Sequence, residues 1–167
     1  MKTAVVYYSL DGNTAFVCDE IAKVLGADKF VIELKNEFPH GFMKYVFGGW
    51  QTITNKIPEI ADLNFNPNDY DKIVLGSPCW ASSIAPAIKS FLEKYPLKNK
   101  EIALLLCHGG GASEKTVKKW VSFLDGSNTV SATLKLVNPL KSHSARAISF
   151  VGSWAQDIWT ETTKTNP

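Results

Sequence analysis

Short, unbroken apolar runs alternate along the chain with segments whose apolar positions recur at helical spacing. Ala4-Val5-Val6-Tyr7-Tyr8 is β-branched and aromatic without polar interruption, the pattern of a strand buried on both faces. Asp11-Gly12-Asn13 breaks it, and from Thr14 onward Val17, Cys18, Ile21, Val24 and Leu25 fall on one face of a helix that Gly26 stops. Further strands are predicted at Lys29 to Leu34, at Lys72 to Leu75 (ended by Gly76-Ser77-Pro78), at Ile102 to Leu106 and at Val130 to Val137. Three more helices are marked by apolar stripes. The first is Ile84, Ile88, Phe91, Leu92 and Tyr95, closed by Pro96; the second, which Ser113 can cap, is Val117, Trp120, Val121 and Leu124. The third is Val151, Trp154, Ala155 and Ile158.

This alternation predicts an α/β, three-layer domain over residues 1–167, a five-stranded parallel sheet with helices on both faces. Right-handed crossovers leave few strand orders, of which 2-1-3-4-5 is the first choice. The stretch from Asn36 to Asp69 is the irregular part. It holds Phe38, Phe42, Tyr45, Phe47 and Trp50, too aromatic for a solvated loop, and reads as a helix near Phe42–Lys56 broken by Gly48-Gly49. Two roles stay open for it: a cover on a sheet face, or a lid over a ligand.

Composition narrows the function. A chain of 167 residues is long enough for one domain with its own core. Its 18 Lys+Arg against 16 Asp+Glu give a net charge of +2, no electrostatic case for nucleic acid or a membrane surface. No apolar run reaches the ~18 residues of a membrane span. Met1-Lys2-Thr3 runs straight into the first strand without the apolar stretch and cleavage site of a leader, so cytoplasm is the expected location. The cysteines, Cys18, Cys79 and Cys107, are odd in number and widely spaced, so reduced thiols are expected rather than a disulfide framework or a zinc site. His40 and His143 have no partner at ligand spacing, so no metal is expected.

In an open parallel sheet ligands bind beyond the carboxyl ends of the strands, at the switch point in strand order. Here that point lies between the first and third strands, and the three loops around it are unusual. Ser9-Leu10-Asp11-Gly12-Asn13-Thr14 brings hydroxyls, an amide and a glycine to a helix start, where unpaired N–H groups and the helix dipole suit a phosphate. It is neither GxGxxG nor GxxxxGK[ST], which argues against a dinucleotide fold or a P-loop NTPase. Gly76-Ser77-Pro78-Cys79-Trp80-Ala81-Ser82-Ser83 places a Trp among small residues at a strand end, to pack inward or to stack on a flat ligand. Cys107-His108-Gly109-Gly110-Gly111-Ala112-Ser113 offers a backbone that can come close to a ligand, or simply a permissive turn. Neighbours on an extended chain point apart, so His108 is a poor base for Cys107 and no catalytic residue is assigned.

These residues resemble the flavodoxin family. Ser9 to Thr14 is similar to its T/S-x-T-G-N-T phosphate loop, and Gly76-Ser77-Pro78-Cys79-Trp80 with Pro86 and Phe91-Leu92 to the G-x-P-x-W…P…F-L segment of a bacterial branch. Gly41-Phe42-Met43-Lys44-Tyr45 with Gly48-Gly49 also resembles that branch, and Cys107 to Gly111 stands where the family carries T-S-G-G. The resemblance implies a flavodoxin-like fold with noncovalent FMN. Its phosphate is expected on Ser9, Leu10, Asp11, Gly12, Asn13 and Thr14. Its ring is expected between Pro78, Cys79, Trp80, Ala81 and Ser82 on one side and Cys107, His108, Gly109, Gly110 and Gly111 on the other. Trp80 would be the ring plate, and backbone groups of Cys79, Ala81, Gly109 and Gly110 would meet the polar edge. The implied activity is electron transfer, or that of a small flavin-dependent oxidoreductase with a quinone-type acceptor. The expected partners are a redox protein or a small-molecule acceptor, with NAD(P)H as a candidate donor. Asp11 stands where the family has Thr, and a carboxylate beside a phosphate repels it unless it points away or caps the helix. It supports the alternative, a flavodoxin-like binding module without flavin. Flavodoxins are strongly acidic; this chain is slightly basic.

Overall fold

The computed structural model describes residues 1–36, 57–110, 114–141 and 145–159. The predicted helix near Phe42–Lys56 and its lid role, His40, His143, Gly111 and the Ser113 cap lie outside the described residues. The elements are β1 (Thr3–Tyr7), α1 (Asn13–Leu25), β2 (Asp28–Val31), a 3-10 turn (Pro67–Asp69), β3 (Lys72–Trp80), β4 (Ser83–Ile84), α2 (Pro86–Lys94), β5 (Glu101–His108), α3 (Glu114–Val121), β6 (Thr129–Val137) and α4 (Ala145–Asp157). No helix among the described residues is long and apolar enough to cross a membrane.

The parallel strands run in the order β2-β1-β3-β5-β6, which is the predicted 2-1-3-4-5. Residues along β1 alternate between two cores, as the pleat requires. Ala4, Val6 and Tyr8 join Ile88 and Phe91 of α2 and Trp120 of α3 on one face. Val5 and Tyr7 join Val17, Cys18 and Ile21 of α1 and Val151 and Ala155 of α4 on the other. The sheet is thus covered on both sides, and the continuous apolar strands follow from that.

Three expectations need correction. The second strand ends at Val31, not Leu34; Leu34 instead forms an isolated antiparallel bridge with Ile60. The third strand does not stop at Gly76-Ser77-Pro78 but runs on to Trp80. Gly76 O accepts from Tyr8 N–H on the β1 side, and β1 pairs no further than Tyr7 with Gly76. Two residues on, the missing N–H of Pro78 faces that same open side, so proline costs the ladder no bond. Finally, Ile84 belongs to a strand, not to the helix. It pairs antiparallel with Cys79 in a short hairpin, which makes the sheet six-stranded. The helix starts at Pro86, where a missing N–H is tolerated.

Gly76 sets how closely α1 sits on the sheet. A Cβ there would lie 2.5 Å from Cys18 Sγ and 2.9 Å from Tyr7 Cβ. The start of α1, with Thr14, is drawn onto the sheet edge by this absent side chain.

Candidate functional site

At the carboxyl ends of β1, β3 and β5 lies a cleft of ≈ 520 Å³, within the usual range of small-molecule sites. Of the first loop, Ser9, Leu10, Asp11, Asn13 and Thr14 line it; of the second, Pro78, Cys79 and Trp80; of the third, Cys107, His108 and Gly109. The three loops chosen from strand order therefore meet in one crevice. Gly12, Ala81, Ser82 and Gly110 do not line it; they shape the turns beside it.

The first loop ends in Gly12 with φ 81, the left-handed conformation that glycine adopts freely, and its carbonyl accepts from Phe16 N–H. The first N–H groups of a helix have no intrahelical acceptor. Ser9 Oγ takes that of Ala15 at 3.2 Å, which leaves the Ser9 hydroxyl proton available. No acidic side chain occupies the first turn of α1. Thr14 is 1% exposed, and its Oγ1 has no hydrogen-bond partner among the described residues. It lies near enough to Cys107 Sγ to favour the thiolate slightly, but not in hydrogen-bonding geometry with it.

The second loop is a hairpin whose two turn residues, Ala81 (φ 46) and Ser82 (φ 57), are both left-handed. That is the backbone of a type I′ turn, normally served by Asn-Gly or Asp-Gly. Non-glycine residues there cost of order 1–2 kcal/mol each, strain of the kind found at ligand sites. The turn leaves Trp80 half-buried at the cleft, its ring edge-on to Tyr8 with centroids 5.8 Å apart. Burial, with the Asp11 charge added, pushes the Tyr8 hydroxyl up to about 12.

In the third loop His108 Nδ1 accepts from Gly110 N–H at 3.0 Å. That assigns the neutral tautomer with its proton on Nε2. Partial burial, then the Lys135 charge, holds the imidazole below its ordinary value. Gly110 N–H is thus engaged by His108 in this structure, while the backbone groups of Cys79 and Gly109 lie at the cleft.

Burial disfavours the thiolate at all three cysteines. Burial pushes Cys107 up to about 12 and Cys18 well above the thiol range. Burial also raises Cys79, against the opposing pull of the Thr116 hydroxyl and the N–H groups of Ser82 and Ser83. All three are free thiols, and the described residues hold no cluster of metal-ligating side chains.

Asn138, Leu140 and Lys141 also line the cleft, and the sequence pattern did not single them out. They form the turn after β6. Asn138 N–H donates to His108 O at 3.0 Å, Lys141 N–H to Asn138 O at 2.9 Å, and Leu140 N–H to Asn13 Oδ1 at 3.1 Å. The turn therefore ties the third loop to the first. Its one sequence signal is Asn138 before Pro139, and Asn138 is left-handed at φ 41.

The family model described as Flavodoxin matches residues 2–146, and the chain belongs to the flavodoxin family. No curated protein matches the sequence. Among solved structures, a flavoprotein in complex with FMN from Lactobacillus acidophilus is similar at TM-score 0.70 and 23% identity, over 84% of this chain and 97% of that one. A candidate flavoprotein from Bacteroides eggerthii is similar at TM-score 0.70 and 21% identity, over 94% and 97%. The two-electron reduced flavodoxin of Megasphaera elsdenii is similar at TM-score 0.57 and 21% identity, over 92% and 98%. At these identities the likeness establishes the fold: α/β, parallel and flavodoxin-like.

Proposed function

We propose that the chain is an FMN-binding redox protein, with the phosphate on residues 9–14 and the ring between the 78–82 and 107–110 loops. The observation that carries this is the Thr14 hydroxyl, buried in the cleft without a partner. Such a group costs about 1–3 kcal/mol, a cost that a phosphate oxygen would remove. The residues fit that group. The start of α1 offers N–H donors with no acidic side chain among them, Ser9 keeps a hydroxyl proton, and Asn13 keeps its Nδ2 protons because its Oδ1 is the atom bonded to Leu140.

When bound, FMN supplies one- and two-electron chemistry. The chain's own groups bind and orient it. Trp80 offers a flat apolar face, and His108 offers Nε2–H as a neutral donor to an acceptor edge. The segments Pro78 to Ser83 and Cys107 to Ser113 contain no Asp or Glu, so their side chains add no negative charge against a reduced ring. This favours a two-electron reductase of a quinone-type acceptor, with NAD(P)H as donor. A one-electron carrier to a partner protein is the second role. The net charge of +2 gives such a carrier little of the single-sign field that steers docking. Asp11 favours the reading without flavin.

The test is the purified full-length chain. A flavin absorption band, with FMN as the flavin released on denaturation, supports the reading; a colourless chain that takes up no added FMN overturns it. Two reduction potentials lying close together support the reductase. A wide gap between them returns the protein to the carrier role.

A further inference from the structure

The first loop carries a carboxylate, Asp11, in the cleft that is to hold a phosphate. A phosphate dianion in that cleft favours a cation beside it. His108 is held neutral and Lys135 is ion-paired with Glu114, so neither supplies one. Lys141 also lines the cleft, and its side chain is exposed. Its place is fixed by its neighbour. Leu140 N–H is bonded to Asn13 Oδ1, and Leu140 Cδ1 lies 3.2 Å from where a Cβ on Gly12 would stand. The backbone of residue 140 thus rests on the phosphate loop. The next Cα follows ~3.8 Å on, and a lysine stem is long enough to span a loop of that size. The i-to-i+3 bond from Lys141 N–H to Asn138 O, and the bond from Asn138 to His108 O, hold the turn from its other end.

We propose that Lys141, delivered by the turn between β6 and α4, is the counter-ion of the cofactor's terminal phosphate, so that the phosphorylated flavin is selected over riboflavin. The inference rests on the reading that residues 9–14 hold the phosphate. It adds a fourth wall to the site, built by a segment far from the other three in sequence. Lysine acts here as a point charge rather than a geometric fork, so arginine should substitute well and a neutral side chain should not. The contribution should weaken as salt rises, because the side chain is exposed.

The experiment uses the full chain stripped of flavin and titrated with FMN and with riboflavin, for wild type, Lys141→Gln and Lys141→Arg. The side chain is exposed, so neither change disturbs the core. Lys141→Gln should weaken FMN about tenfold and leave riboflavin unchanged. Lys141→Arg should restore FMN, and raised salt should narrow the gap between wild type and Lys141→Gln. If wild type prefers FMN but Lys141→Gln leaves that preference intact, the counter-ion role is overturned while the phosphate site stands. An equal loss for both flavins also overturns it, because it marks a disturbed turn rather than a lost charge. If wild type itself binds the two flavins equally, the phosphate reading fails and this inference falls with it.

Discussion

Asn13 Oδ1 accepts the N–H of Leu140 at 3.1 Å, across 127 residues of chain. The loop that leaves β1 and the turn that leaves β6, the last strand, are therefore one structural unit at the mouth of the cleft. Asn13→Ala should lower stability by about 1 kcal/mol, the net value of one such bond, read as a lower urea midpoint at unchanged slope. Asn13→Asp keeps the acceptor but removes the Nδ2 donors and adds a charge. It should keep most of the stability and still weaken FMN. Equal stability loss in both variants would show that the bond to Leu140 is not what Asn13 supplies.

Thr14 gives a prediction with two opposite signs. Thr14→Val removes a buried hydroxyl that has no partner in the described structure and leaves the shape nearly unchanged. The flavin-free chain should become more stable, by up to about 1 kcal/mol. FMN should bind less tightly at the same time. Thermal unfolding of the stripped chain and a flavin titration check the two halves, and a variant that is less stable without flavin would contradict the account of Thr14.

Gly76 is a packing glycine. Gly76→Ala forces a Cβ to within 2.5 Å of Cys18 Sγ and 2.9 Å of Tyr7 Cβ. The expected loss is about 3 kcal/mol, the upper end for overpacking. Adding Cys18→Ala opens the sulfur side only and should recover part of it, a coupling that a double-mutant cycle reads directly. Strict additivity of the two changes would place the clash elsewhere.

His108 predicts a pH dependence. Its folded-state value lies below the ordinary one because burial and Lys135 disfavour the charged ring. As pH falls, the unfolded chain takes up this proton first, near the ordinary value of about 6.5, while the folded chain does not. The contribution of His108 is therefore complete above that value, and stability declines as pH falls through it, until the lower folded value is reached. Protonation at Nδ1 also breaks the bond from Gly110 N–H. His108→Gln should flatten the difference in thermal midpoint between pH 7.5 and 5.5 relative to wild type. An unchanged slope would mean that other groups carry it.

Much of this architecture was legible because each central strand is apolar on both faces, and because strand order alone selects the loops that meet. Ser9 to Thr14, Pro78 to Trp80 and Cys107 to Gly109 were placed in that way. The illegible parts depend on partners distant in sequence or on local exceptions. Pro78 looked like a strand end, but its missing N–H falls where β1 has stopped pairing. Ala81-Ser82 carries none of the glycine or asparagine signal of its turn type, so the hairpin could not be foreseen. The turn holding Leu140 and Lys141 lies at the cleft through its bonds to Asn13 and His108, tertiary contacts that no local pattern encodes.

Residues 9–14 are proposed to hold a flavin by its phosphate. Titration of the stripped full-length chain with FMN and with riboflavin, followed by flavin fluorescence, isolates that group, because the two ligands differ by the phosphate alone. FMN should bind at least tenfold more tightly than riboflavin, a difference of about 1.4 kcal/mol or more, and the preference should shrink in Thr14→Val. Equal affinity for the two flavins would contradict it.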